Sequence, residues 1–242
     1  EELAAPRGKP AIYHCISRVV DRRFVLGDAE RDQFVRYMRV YERFCQVRVL
    51  DFCVMSNHFH ILLEVPAAPE HRGADWSDAE LLDHLAGLYS KTQMVKLRWE
   101  LEHYRRQGNT PAADAFRERY FRRMWDLSQF MKTLKQRFTT WFNRRHERRG
   151  TLWEERFKSI LVEDGHAART MAAYIDLNPV RAGICEDPAD YRWSSYAEAV
   201  AGGRKARAGL VRALRGHQGN PGTARGWAQG GLARQYRAIL LG

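Results

Sequence analysis

Apolar positions alternate in some stretches of this chain and recur every three to four residues in others, and the two periods divide it into elements. Ala11-Ile-Tyr-His-Cys-Ile-Ser-Arg-Val-Val20 predicts a first strand. Asp28 is expected as an N-cap, and Phe34, Tyr37, Met38, Tyr41, Phe44 and Cys45 then follow at helical spacing. Residues 47–65 return to strand character, as two strands or one bent at Met55-Ser56-Asn57, where Ser and Asn support a tight turn. In an extended run residues i and i+2 share a face. His58 and His60 therefore project side by side while Phe59, Ile61 and Leu63 point the other way, into a core.

Pro66 to Trp76 reads as a linker, and Ser77-x-x-Glu80 as a capping box opening a helix toward Gln107. Gly108-Asn109-Thr110-Pro111 breaks that helix, and a second helical piece runs through Arg122. This region is expected to be a helical hairpin that buries Leu81, Leu82, Leu85, Leu88 and Tyr89 and turns Arg98, Arg105, Arg106, Arg117, Arg119, Arg122 and Arg123 outward. Ser128 opens the clearest helix, to about His146, with Phe130, Met131, Leu134, Phe138, Trp141 and Phe142 as a core stripe. A strand is expected over Thr151 to Val162. Asp164 then caps a helix that should end at Asn178, because Pro179 follows it. Ala201 to Gln229 is rich in Gly, Arg and Ala without a clear period and is expected to be irregular, with a short helix from Leu232. The order predicts an α+β fold, a ferredoxin-like split βαββαβ antiparallel sheet with helices on one face and a helical insertion at about 67–127. This domain spans 8–200, and 201–242 form a C-terminal extension. Such a fold hosts many functions and decides none.

Charge narrows the choice. Forty Lys and Arg against 29 Asp and Glu give +11 over 242 residues, with Arg the main cation, as suits bidentate contacts to phosphate. The exposed side of the 128–146 helix and the segment after it carry the candidates for a DNA path: Lys132, Lys135, Arg144, Arg145, Arg148 and Arg149, with Arg156 and Lys158 nearer the chemistry. No apolar run reaches the length of a membrane helix, so no membrane partner is expected. Four scattered cysteines without a C-x-x-C pair suit a reduced, cytoplasmic, nucleoid-associated protein and argue against a zinc site.

Tyr174 and Asn178 lie four apart on one helix and share its face. His58, His60 and the Asn178 amide oxygen could surround one divalent ion, leaving positions open for a phosphate oxygen. Tyr174 would then attack phosphorus, giving a phosphotyrosine and a free 3′-hydroxyl. Taken singly, the histidines could be ordinary strand residues, Tyr174 a core aromatic and Asn178 a helix C-terminal signal.

Three segments, taken in order, resemble one family. They are Ser56-Asn-His-Phe-His-Ile-Leu-Leu63, Gly150-Thr-Leu-Trp-Glu-Glu-Arg-Phe-Lys-Ser159 and Tyr174-Ile-Asp-Leu-Asn-Pro-Val-Arg-Ala-Gly183, with Tyr191-Arg-Trp-Ser-Ser-Tyr196 as a further echo. They are similar to the REP-associated tyrosine transposases of the HUH single-tyrosine superfamily, over roughly residues 8–66 and 128–200. The resemblance implies a ferredoxin-like catalytic domain and a divalent metal, Mg or Mn, on His58 and His60. It implies Tyr174 as the nucleophile, Asn178 as the polar side chain one turn later, and single-stranded DNA, often with a hairpin, as substrate. The 67–127 stretch is longer than in compact members. Monomer and homodimer both remain open. The alternatives are a hairpin or single-strand DNA-binding protein with little cleavage, or an RNA-binding ferredoxin-like protein, although the Lys-Arg-Gly-Phe-x-Phe run of the latter is absent.

Overall fold

The alternating N-terminal run forms β1 (Ala11–Arg18), and the helical period after it forms α1 (Asp28–Phe44), in a computed structural model that describes residues 9–71, 73, 75–216 and 224–242. Gly27, not Asp28, is the N-cap of α1. Asp28 sits in the first turn, where its charge suits the helix dipole. Residues 47–65 fold as two strands, β2 (Arg48–Val54) and β3 (His58–Val65), joined at Met55-Ser56-Asn57.

The expected hairpin at 67–127 is three helices, α2 (Asp78–Ala86), α3 (Lys91–Arg106) and α4 (Thr110–Phe121). Ser77 and Glu80 form the capping box, and a second box, Ser90 with Gln93, restarts the helix where one continuous element was expected. Leu81, Leu82 and Leu85 are buried in the main core, with Leu88 and Tyr89 partly so. Five of the seven arginines are exposed as expected, Arg117 and Arg123 are half-buried, and several are engaged by neighbouring side chains. Asp78 gathers Arg105 (2.8 Å) and Arg117, Arg119 reaches Glu100 (3.7 Å), and Arg123 lies over the Phe44 ring. Arg98, Arg106 and Arg122 remain exposed, without an ion pair among the described residues.

α5 (Leu127–Arg145), capped by Asp126, buries Phe130, Met131, Leu134, Phe138 and Phe142, whereas Trp141 is only partly buried. β4 (Lys158–Val162) completes an antiparallel sheet of order β2-β3-β1-β4, the strand order of the split βαββαβ fold. It starts later than expected. Residues 151–157 are irregular, and Trp153, which reads as a strand residue, bridges Val19 and is buried in the core.

α1 and α5 cover one face of the sheet, over Tyr13, Cys15, Phe59, Ile61 and Leu63. The other face is covered too. α6 (His166–Asp176), α8 (Ser195–Val200), α9 (Arg204–Arg215) and α10 (Leu232–Leu241) pack there with Ile12, Leu50 and Leu62. Between α6 and α8 the chain does not stop at Asn178. It adds the short turn α7 (Asn178–Arg181), which tolerates Pro179 in its first turn because that position needs no donor.

α9 corrects the expectation of an irregular tail. Its buried residues are Ala206, Gly209, Leu210, Val211, Arg212, Ala213 and Leu214. With so many small residues on the inner face, apolar contrast is weak and the period is hard to read. Gly209 is required by close approach: a Cβ there would stand 2.6 Å from the carbonyl oxygens of Val49 and Leu50. Arg212 pins α9 through Glu64 and Asp164, at 2.8 Å each. Residues 217–223 of this tail, and residue 8 of the expected domain, lie outside the described residues. The expected terminal helix is α10.

Asp176 ties α6 to the C-terminal elements. It is fully buried, its Oδ1 accepts from the Tyr196 N–H (3.1 Å), and its Oδ2 accepts from the Tyr236 hydroxyl (2.8 Å). Burial pushes its carboxyl up to about 7. Burial and the charge of Asp176 push the neighbouring Asp51 well above the usual carboxylate range. Tyr236→Phe, which removes one donor from this carboxylate, is expected to cost about 1–3 kcal/mol and to lower Tm by roughly 2–10 °C. An unchanged thermal melt would mean that the hydroxyl does not hold α10 onto α6.

Candidate active site

The pleat turns His58, His60, Leu62 and Glu64 of β3 away from the core that takes Phe59, Ile61 and Leu63. They face the side covered by α6, and α6 carries Tyr174. Ring centroids lie 5.1 Å apart for His58 and His60, and 5.8 Å apart for His60 and Tyr174, both edge-on. The sequence-predicted pair and the predicted tyrosine are thus neighbours across the strand–helix boundary. Tyr174 is 38% exposed, so the residue is open to solvent.

Asn178 stands differently. Its Nδ2 donates to the carbonyls of Tyr174 (2.8 Å) and Ile175 (3.3 Å), closing the last turn of α6 and leaving Oδ1 without a donor among the described residues. Nor does any hydrogen bond among them join Asn178 to either histidine.

Two residues that sequence reasoning passed over complete the histidine cluster. His14 on β1 stacks on His60 at 5.2 Å, and its Nε2 lies 2.9 Å from His60 Nδ1. The signal was present: His14 alternates with Tyr13 and Cys15, which go to the core, so it faces the His60 side. Asn57 is the second. Its Nδ2 donates to the Arg22 carbonyl (3.1 Å), which fixes Oδ1 as the acceptor for His58 Nδ1 at 2.7 Å. His58 therefore carries its proton on Nδ1 and keeps the Nε2 lone pair, the orientation that a carboxamide or carbonyl behind a metal-binding imidazole normally imposes.

Electrostatics agree. Burial, and then the Arg18 charge opposite it in the sheet register, push His58 down to about 4. Burial, followed by His58, His14 and Arg18, pushes His60 down to about 2. Burial alone pushes His14 down to about 4. All three rings are neutral at pH 7, as ligation requires. Among the described residues no group of three or more His, Cys, Asp and Glu side chains could hold a metal ion. The donor set expected from the sequence, two imidazoles and the Asn178 amide oxygen, contains no carboxylate. Arg181 of α7 lies over the Tyr174 ring at 5.2 Å and adds a cation beside the hydroxyl-bearing ring.

Comparison with known proteins bears on the first part of the chain and on the fold. Residues 9–71, which include β1, α1 and the His58–His60 strand, match the family described as "Transposase IS200 like". The fold as a whole is similar to that of a REP-associated tyrosine transposase solved bound to a REP hairpin. The TM-score is 0.52 and the identity 15%, over 84% of this chain and 87% of the other. No curated protein matches the sequence. The expected resemblance to REP-associated tyrosine transposases is thereby borne out, and the insertion and C-terminal helices lie beyond the matched IS200-like segment.

Of the cations expected on a DNA path, Lys132, Arg144, Arg149 and Arg156 are exposed and make no ion pair among the described residues. Lys135 is not on the surface as the pattern suggested. It is buried, its ammonium donates to the Glu155 carbonyl (2.8 Å) near the Trp153 ring, and burial pushes it down to about 8. Arg145 pairs with Glu30, Arg148 donates to the Thr151 carbonyl, and Lys158 pairs with Glu155. In the sheet register Lys158 stands opposite Ile16, which stands opposite His60, so it occupies the same cross-strand row about 10 Å away. No helix among the described residues is long and apolar enough to cross a membrane.

Proposed function

We propose that this protein is a metal-dependent endonuclease and strand transferase for single-stranded DNA, with hairpin-containing repeat DNA as its substrate and Tyr174 as its nucleophile. The observation that carries the reading is the packing of Tyr174 against His60, beside two further neutral imidazoles. A structural tyrosine would not need three desolvated histidines beside it. His58, His60 and Asn178 would hold a divalent ion, Mg or Mn, which when bound supplies Lewis-acid polarisation of a phosphate oxygen. The chain's own groups do the rest. Asn57 and His14 fix the two ring orientations. Arg18 and Arg181 offer positive charge to the phosphate. The Tyr174 oxygen forms a bond to phosphorus as the P–O3′ bond breaks, the phenol gives up its proton, and O3′ takes one up as the free hydroxyl. The phosphotyrosine keeps the bond energy, so a second 3′-hydroxyl can reverse the step and rejoin strands. The hairpin in the similar solved structure supports the substrate class.

An RNA-binding role of the ferredoxin-like kind needs an open sheet face with aromatic side chains, and both faces here lie under helices. The test is a labelled DNA hairpin with single-stranded flanks, incubated with the protein and Mn²⁺ and resolved under denaturing conditions. A covalent protein–DNA band supports the reading. Tight binding without a band would select a hairpin-binding protein instead.

Lys132, Arg144, Arg149 and Arg156 are the cations left for phosphates. Replacing Arg144 and Arg149 by Gln is expected to weaken binding of any DNA sequence. The plot of log affinity against log salt should flatten by about one unit for each phosphate that an arginine no longer neutralises. A slope equal to the wild type's would remove these two from the DNA path.

A further inference from the structure

Phe24 is the most exposed large hydrophobic residue among those described, at 79%. A solvated phenyl ring on a mobile loop would mean little, but this loop is tied down at every step. The Val19 N–H donates to the Asn57 carbonyl (2.8 Å), the Val20 N–H to the Leu152 carbonyl (3.0 Å) and the Leu26 N–H to the Ser56 carbonyl (2.9 Å). Leu26, two residues on, is an anchor in the core at 1% exposure. Between these ties, Asp21 and Arg22 both take left-handed backbone angles, φ 57° and 54°. Two consecutive non-glycine residues in that region are a conformation L-residues avoid, and such strain persists where the surroundings enforce it, often at functional sites. The fold therefore holds an apolar ring out in water on a rigid, strained turn.

The turn is joined to the active site by one side chain. Asn57 donates through Nδ2 to the Arg22 carbonyl and accepts through Oδ1 from His58 Nδ1. The turn that precedes Phe24 is thus one side chain from His58. The surroundings are cationic: Arg22 and Arg23 immediately precede Phe24 in sequence and are exposed, and Arg18 stands opposite His58 in the sheet register. An exposed aromatic ring next to two exposed arginines suits a polyanion with flat apolar rings along it.

Resting on the function proposed above, we infer that Phe24, with Arg22 and Arg23, is a stacking platform for an unpaired base in the single strand beside the scissile phosphate. The phenyl ring takes the face of the base, and the two guanidiniums take neighbouring phosphates of the same strand. Paired bases in a hairpin stem present no free face, so the platform reads the single-stranded flank and sets which phosphate reaches Tyr174. Stacking of this kind tolerates any base, so its contribution is to register rather than to sequence.

The test uses the full chain, EDTA to prevent cleavage, and two DNAs: a blunt hairpin and the same hairpin with a single-stranded flank. In a series of the flanked DNA, 2-aminopurine replaces each flank base in turn. Phe24→Ala is expected to weaken the flanked hairpin by about tenfold or more and to leave the blunt hairpin within about twofold. Phe24→Trp should hold wild-type affinity. One 2-aminopurine position should be quenched by the wild type and released by Phe24→Ala. Because the ring is exposed, Phe24→Ala should keep the wild-type melting temperature. Equal loss on both DNAs, no loss on either, or no position whose quenching depends on Phe24 would overturn the platform while leaving the proposed function standing. A wild-type chain that binds neither DNA would overturn both.

Discussion

Tyr174→Phe is expected to leave no covalent protein–DNA band, a loss on the order of 10³-fold or more, while DNA affinity stays within about twofold. The substitution removes one oxygen from a residue that is 38% exposed. The ring contacts with His60 and His14, at 5.8 and 6.2 Å, and the Arg181 guanidinium over its face need no hydroxyl. Folding and electrostatics are therefore unchanged, and only the bond to phosphorus is lost. Cleavage that survives in Tyr174→Phe, with products lacking attached protein, would assign the attack to a water molecule.

His60→Ala ranks second. It removes an imidazole that is neutral at pH 7 and oriented by His14 at 2.9 Å. Loss of Lewis-acid help is worth several kcal/mol, so the adduct should fall by about 10²–10⁴-fold, and Mn²⁺ binding measured by calorimetry in the absence of DNA should fall with it. His58→Ala should behave alike. His14→Leu should be milder, weakening Mn²⁺ by about 10–100-fold, because it takes away only the group behind a ligand. Its activity should return as Mn²⁺ is raised, whereas that of His60→Ala should not. If Mn²⁺ affinity is unchanged in His60→Ala, the histidines serve the phosphate or the tyrosine directly.

The parts of the fold written in strong contrast were legible. Alternation in β1 and β3 gave the faces of the sheet, and with them the direction of His58 and His60. The Ser77 box and the α5 stripe gave helices. Legibility failed where side chains carry little contrast or serve tertiary partners. α9 is built on Ala and Gly because Gly209 must touch the β2 backbone, and that same smallness hid its period. Trp153 reads as a strand residue yet fills the core from an irregular segment. Lys135 reads as a surface cation, but the Glu155 carbonyl, brought back by the chain 20 residues later, draws it inside. At the site, His58, His60 and Tyr174 were readable because two local periods place them. His14 and Asn57 act through partners that only the sheet register and the β2–β3 turn bring near.

The hydroxyl and amide that satisfy Asp176 come from residues 236 and 196, far downstream of the tyrosine they steady. Synthesis runs from the N-terminus, so a nascent chain can already display His58, His60, Tyr174 and Asn178 while the buried carboxylate beneath α6 still lacks its donors. A chain cut short before Tyr236 would carry the candidate site without the helix whose hydroxyl closes over Asp176. A fragment of this chain that holds the whole candidate site would therefore still lack the donor, 60 positions downstream, that closes over the carboxylate beside Tyr174.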